Sequence, residues 1–294
     1  DFRGPPVSAD VLRVMNETIR HRGPDDGGVL AEGPFGFGHR RLSIVDLSVA
    51  GRQPMESANG RSVLTYNGEN YNFQDLRILL AKAGTHFRGH SDSEVVLEAI
   101  DRWGPAALRR IQGMFAIAVW NRDDRSLLLA RDRFGIKSLY YSVQGGRLVF
   151  GSEIKAILAA GLGKRRVDRQ GLTEYMWYGN TLGENTLFEG IRKLRPGHWL
   201  RFDEKGCVTE PFWDLSEVKS LDIGEAEAVE RVRGYLEDAV KRHLMGDVPI
   251  GVFLSGGIDS SSVAAFAARH YGEQIKTYSV DFDFNPGESE LVQA

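Results

Sequence analysis

Val248-Pro249-Ile250-Gly251-Val252-Phe253-Leu254-Ser255-Gly256-Gly257-Ile258-Asp259-Ser260-Ser261 is a mostly apolar run that ends in two glycines and a cluster of hydroxyls. A continuous apolar stretch of this kind reads as a strand, at 248–254, buried in a parallel sheet. The two glycines behind it let the backbone turn tightly and approach a ligand closely. A helix expected at 261–270 would present unpaired N–H groups and a positive dipole end to that turn, which suits phosphate. Ser255 and Ser260 add hydroxyls to the same cradle. With a further strand at 277–280, the order strand, loop, helix, strand opens a doubly wound α/β domain. The loop is not a Walker A motif, because no Lys follows the glycines. The structural alternative is a plain strand–turn–helix junction capped by Asp259 or Ser260.

Working outward, Val229, Val232, Leu236, Val240 and Leu244 stand near helical spacing and predict one long amphipathic helix over 225–244. Ahead of Pro211-Phe212-Trp213 the character changes. Helices are expected at 11–19, 73–83 and 95–103, from apolar residues three and four apart such as Leu76, Leu79 and Leu80. Strands are expected at 35–39 and 62–66, and as two hairpins, 114–120 with 127–130 and 140–141 with 148–150. Hairpins mixed with helices favour antiparallel sheets covered by helices. The domain boundary falls between about 201 and 221, and the division is drawn at 1–212 and 213–294.

The chain's 294 residues fit about two domains, and 42% hydrophobic with 26% charged residues is enough for sizeable cores. Lys and Arg total 37 against 40 Asp and Glu, a formal charge of −3. That balance speaks against a nucleic-acid binder. No run approaches the ~18 apolar residues of a membrane span, and the start at Asp1 lacks the apolar core of a secretory signal. A cytoplasmic protein with neither a nucleic-acid nor a membrane partner is expected. Cys207 cannot close an internal disulfide and is too little for a cysteine zinc site. No residue is assigned as a metal ligand. A start at Asp1 without Met and a stop at Ala294 just after a strand-like run read as a piece of a longer protein.

Ser255-Gly256-Gly257-Ile258-Asp259-Ser260 resembles the SGGxDS loop of ATP pyrophosphatases, which bind the pyrophosphate of ATP and adenylate a carboxylate or carbonyl. The first region narrows the choice. In order come Arg20-His21-Arg22-Gly23-Pro24-Asp25, His39-Arg40-Arg41-Leu42-Ser43-Ile44-Val45-Asp46, Tyr66-Asn67-Gly68-Glu69-Asn70-Tyr71-Asn72, Ser91-Asp92-Ser93-Glu94, Gly113-Met114-Phe115-Ala116 and Arg131-Asp132-Arg133-Phe134-Gly135-Ile136-Lys137. This succession resembles the glutaminase domain of glutamine-hydrolysing asparagine synthetases, and the likeness runs from Arg20 onward. It implies an α+β N-terminal-nucleophile (class II) amidotransferase fold, an αββα sandwich of antiparallel sheets. The start of an α/β doubly wound ATP-pyrophosphatase domain, adenine nucleotide α-hydrolase-like, would follow.

The activity so implied is ATP- and Mg²⁺-dependent synthesis of asparagine from aspartate, with glutamine as nitrogen donor and a β-aspartyl adenylate as intermediate. Homodimers are common in the family. The same framework serves β-lactam synthetases, lasso-peptide cyclases and polysaccharide-associated amidotransferases, so another carboxylate acceptor stays open. So does a non-catalytic module built on a degenerate amidotransferase. Glutamine hydrolysis needs a nucleophile, donors for the tetrahedral oxyanion, and charges that recognise the α-amino and α-carboxylate groups. By resemblance, Asn67 and Gly68 form the oxyanion hole. Arg41 takes the glutamine carboxylate and Asp92 its ammonium, while Leu42, Ser43, Ile44, Val45 and Glu69 line the pocket. For ATP, Leu254 and Val280 would contact adenine or ribose through their main chains. Ser255, Gly256, Gly257, Asp259 and Ser260 would surround pyrophosphate. The family's nucleophile is an N-terminal cysteine, and residues 1–294 hold no cysteine at that place. The chain as it stands could not run that hydrolysis; residues missing ahead of Asp1, or a lost activity, would explain it.

Other readings compete. Taken alone, Asn67-Gly68 also reads as a turn after a strand. Ser91 and Glu94 form a capping box. Asp92, at the helix start, should stay ionised because N–H groups favour its carboxylate. Arg40 reads as a solvated charge, His21 and His39 as structural hydrogen-bonding residues, and Lys164-Arg165-Arg166 as a surface run. Cys207 sits in Glu204-Lys205-Gly206-Cys207, a turn-like stretch far along the chain, which speaks against a role as nucleophile.

Overall fold

The computed structural model describes residues 2, 5–161, 165–272 and 274–280. The chain divides into two compact units, Asp1–Val218 and Lys219–Ala294.

The first unit runs α1 (Ala9–Thr18), β1 (Asp26–Glu32), β2 (Phe35–Arg41), β3 (Met55–Glu56), β4 (Ser62–Asn70), α2 (Phe73–Lys82) and α3 (Asp92–Trp103). It continues with β5 (Gly113–Asn121), β6 (Ser126–Arg131), β7 (Tyr140–Gln144), β8 (Arg147–Gly151), α4 (Ile154–Ala159), α5 (Arg169–Tyr178), β9 (Arg192–Lys193), β10 (His198–Asp203) and β11 (Gly206–Pro211). One antiparallel sheet has the order β11-β10-β6-β5-β4-β3, and two smaller ones are β1-β2 and β8-β7-β9. Their inner faces share a core. Val63, Ala118, Trp120, Leu129 and Leu200 of the large sheet pack with Phe35 and Phe37 of β2 and Tyr141 of β7. Outside, α3 packs on β4 beside α2, while α1 and α4 pack together on β2 and β8 respectively. The result is helix, sheet, sheet, helix, with the second sheet layer in two pieces.

Three elements depart from the expectations above. First, β4 extends to Asn70, so Asn67-Gly68 is not a turn but strand, paired with Ala116 and Phe115 of β5. Second, α3 begins at Asp92, because the Ser91 hydroxyl accepts the Glu94 N–H and caps it there. The Glu94 carboxylate does not close the capping box; it takes the N–H groups of Arg88 and Gly89, holding the preceding loop. Third, Arg40 is half-buried and donates to the Gly23 carbonyl at 3.0 Å, so it is no solvated charge. Arg165 and Arg166 are exposed, as a surface run requires, while Lys164 lies outside the described residues.

The second unit holds α6 (Glu225–His243), β12 (Gly251–Phe253), α7 (Ile258–His270) and β13 (Lys276–Tyr278). The strands are parallel, with Val252 opposite Thr277, but both are shorter than their apolar runs, and Val280 lies beyond β13. The helix starts three residues earlier than expected, at Ile258, with Gly257 as its N-cap. Of the apolar stripe on α6 only Val240 is buried. Among the described residues no helix is long and apolar enough to cross a membrane.

Candidate active site

A cavity of about 750 Å³ opens within the first unit. Its wall includes Arg41, Leu42, Ile44, Val45, Asn67, Gly68, Glu69 and Asp92, so eight of the nine residues expected around glutamine meet there. Ser43 does not line it; its N–H is turned to the Asp25 carboxylate, 2.8 Å away.

Asn67 and Gly68 owe their place to the β4–β5 ladder. A Cβ on Gly68 would fall 2.2 Å from the Met114 carbonyl oxygen of the neighbouring strand. The glycine is therefore demanded by the strand beside it, a stronger constraint than the approach of a substrate. The side-chain amide of Asn67 makes no hydrogen bond among the described residues, which leaves a donor on the cavity wall.

Arg41 closes β2 and is buried. Its guanidinium donates to the carbonyls of Ser48 at 3.2 Å, Val45 at 3.4 Å and Asp46. An arginine has five N–H donors, so two remain. The loop that Arg41 gathers is tied again by Asp46, which accepts the N–H of Ser48 at 3.1 Å and of His90 at 3.0 Å. Sequence reasoning gave Arg41 a substrate role; the structure adds that it builds the loop carrying Ile44 and Val45.

Asp92 is 5% exposed. Its Oδ2 accepts the Tyr66 hydroxyl at 3.0 Å and the Asn70 N–H at 2.9 Å. Burial pushes its carboxyl above the usual range, against the pull of donors from Asn70, Tyr66 and Ser93. The expected helix-start donors do act, but desolvation outweighs them. Burial and the facing Asp92 charge also drive the Tyr66 phenol well above its ordinary value, so it stays a donor.

His39 lies in the cavity wall with Nδ1 3.0 Å from the Thr65 hydroxyl. It is half-buried, and burial followed by the Arg41 charge lowers its pKa to about 4. His21 meets Glu153 at 2.8 Å. Asp132 is an organiser: it accepts the N–H groups of Phe115, Phe134, Ile136 and Lys137 within 3.2 Å and fixes the loop that brings Lys137 to the cavity. Cys207 is exposed on β11, not in a turn. The sequence reading missed Gln53 and Tyr66. Tyr66 stood in a quoted motif, but nothing in its spacing shows that it reaches Asp92 across 26 residues.

In the second unit the Ser260 hydroxyl lies 2.8 Å from that of Ser255 and accepts the Ser255 N–H at 3.1 Å, which folds the loop over the start of α7. Gly257 supplies no side-chain cap, so among the described residues the N–H groups of Ile258, Asp259 and Ser260 have no partner. Leu254 pairs with the Tyr278 carbonyl, and the Ser279 hydroxyl donates to the Leu254 carbonyl at 2.7 Å. Leu254 and Val280 thus follow adjacent parallel strands at their carboxyl ends, where open α/β sheets bind ligands.

The family profile of the glutamine amidotransferase domain matches residues 3–213, and that of asparagine synthase matches residues 231–294. Glutamine-hydrolysing asparagine synthetase 3 of Bacillus subtilis is 42% identical over 278 residues, 92% of this chain and 45% of that protein. Amidase chry2 of Gibberella zeae is 37% identical over 318 residues, 99% of this chain and 46% of that protein. The chain spans about half the length of these relatives. Among solved structures, glutamine phosphoribosylpyrophosphate amidotransferase of Bacillus subtilis superposes with a TM-score of 0.53 at 19% identity, covering 96% of this chain and 65% of that one. That likeness is one of fold: the four layers are those of the N-terminal-nucleophile amidotransferases. With this architecture, and with a profile match over residues 3–213 of the first unit, the chain belongs to the glutamine amidotransferase domain family.

Proposed function

We propose that the whole protein makes asparagine from aspartate, using ammonia released from glutamine in the first unit. The observation that carries this reading is the convergence on one cavity of a buried cation, Arg41, a buried carboxylate, Asp92, and the donor Asn67. Free glutamine carries one carboxylate and one ammonium, and a specific pocket needs one fixed charge of each sign. The two remaining donors of Arg41 would take the carboxylate and Asp92 the ammonium. That leaves the side-chain amide to be attacked beside Asn67 and Gly68, whose N–H groups would steady the developing oxyanion. The attacking thiol would come from a residue ahead of Asp1 in the whole protein.

The loop of residues 254–260 fits a polyphosphate, because it joins the uncapped start of α7 to two hydroxyls, those of Ser255 and Ser260, which lie 2.8 Å apart. Ser255, Gly256, Gly257 and Ser260 would hold the pyrophosphate of ATP, with Leu254 and Val280 toward the nucleoside. Mg²⁺ would accompany the phosphates and neutralise charge there; Asp259, exposed in the first turn, is the loop's carboxylate. The asparagine synthase match over residues 231–294 supports adenylation of a carboxylate. Aspartate as acceptor rests on the synthetase relatives; the comparable likeness to an amidase keeps another carboxylate as a second reading.

The test is a contrast between nitrogen donors in the full-length protein. Arg41→Ala and Asp92→Asn should each weaken glutamine-dependent synthesis by about 2–5 kcal/mol, since each strands a buried charge, and leave ammonia-dependent synthesis nearly unchanged. Equal losses with both donors would return the two residues to a structural role.

A further inference from the structure

Asp92 does not reach the cavity as a freely rotating carboxylate. Its Oδ2 is taken by two donors from the protein side, the Tyr66 hydroxyl and the Asn70 N–H, at 3.0 and 2.9 Å. Its Oδ1 is approached by the Ser93 hydroxyl at 3.5 Å, a long contact, and the Ser93 N–H at the start of α3 adds a weaker pull on the carboxylate. Tyr66 is held in turn: its N–H donates to Gln53 Oε1 at 2.6 Å, and Gln53 Nε2 donates to the Ser93 hydroxyl at 3.3 Å. Tyr66, Asn70, Asp92 and Ser93 are all less than a tenth exposed, and Gln53 is 9% exposed. A carboxylate oxygen accepts about two hydrogen bonds, so Oδ2 is filled and Oδ1 keeps capacity.

Resting on the glutamine reading above, we propose that Tyr66 is a positioning residue that selects for the substrate's ammonium. Its hydroxyl, with the Asn70 N–H, locks Oδ2 and turns Oδ1 to the cavity as the acceptor for the α-amino group. Tyr66 touches no substrate in this arrangement; it acts through Asp92. Gln53 is the brace that ties both sides of the pair.

The experiment uses Tyr66→Phe in the full-length protein, which keeps the ring and deletes the hydroxyl. Glutamate and glutarate serve as competitive inhibitors of glutamine hydrolysis, because they share both carboxylates and differ in the ammonium. Losing one hydrogen bond to a charged group should raise the glutamine KM and the glutamate inhibition constant about tenfold. The glutarate constant, kcat and ammonia-dependent synthesis should stay at parental values. Glutamate and glutarate weakened alike, or a KM left unchanged, would overturn the proposal. Asp92→Asn is the companion arm. If it too fails to reduce the preference for glutamate over glutarate, the glutamine reading of the cavity fails. If it reduces that preference while Tyr66→Phe does not, the positioning role alone is lost.

Discussion

Gly68→Ala should be far more costly than its single methyl group implies. The added Cβ would lie 2.2 Å from the Met114 carbonyl oxygen, 2.9 Å from Phe115 Cα and 2.9 Å from the Tyr66 ring. Two of these three atoms are backbone, so no rotamer change relieves the clash. The strands must part by most of an ångström at the Gly68–Phe115 pair, where β4 and β5 are in continuous register from Ser62 to Asn70. Parting them there gives up two or three interstrand hydrogen bonds at about 1 kcal/mol each, and the overpacking adds about 1–3 kcal/mol. A total of roughly 4 kcal/mol lowers the melting temperature of a unit this size by on the order of 10 °C. Scanning calorimetry of the full-length protein, following the transition of the first unit, measures it. The control is Gly234→Ala in α6 of the second unit, where the new Cβ meets nothing within 4 Å; it should leave the transition of the first unit where it is. A Gly68→Ala melting point within about 2 °C of the parent would refute the close-approach argument, and with it the rigid β4–β5 platform for Asn67.

His39 gives a pH dependence of known sign. Its folded pKa of about 4 lies below the ordinary 6.5, so the fold prefers the neutral ring; that stabilisation is complete above 6.5 and is lost as pH falls toward 4. Between pH 7 and pH 4 the parent should lose up to about 3 kcal/mol more than His39→Gln in denaturant titrations, and equal losses would show that His39 carries no such penalty. Gly257→Val should leave the fold intact, since a Cβ there meets only the Ser255 hydroxyl at an ordinary 3.4 Å, yet place a branched side chain where phosphate is proposed to bind. Pyrophosphate exchange into ATP by the full-length protein should collapse, and an undiminished rate would remove the loop from the nucleotide site.

The local chemistry of the chain is legible in its sequence. Ser91 announces the start of α3, the glycines after residue 254 announce a turn into α7, and the spacing of Leu76 and Leu80 announces α2, because caps, turns and helical stripes are short-range. Most of the cavity wall comes from residues that no motif singled out, but the fold class was legible through ordered motifs, and so were eight of the nine residues expected around glutamine. Contacts between distant segments were not. That β4 runs on through Asn67 and Gly68 depends on β5 lying beside it, whereas Asn-Gly in isolation favours a turn. Arg40 reads as a surface charge until the Gly23 carbonyl is found next to it. Ser43 and Ile44 are neighbours in sequence, yet only Ile44 reaches the cavity, because Asp25 holds the Ser43 N–H. The Tyr66–Asp92 pair spans a strand and a helix, and its hydrogen bond exists only after α3 has packed on β4. Sequence supplies groups and local turns, but which carboxylate oxygen is left for a ligand is set by donors that folding brings from elsewhere.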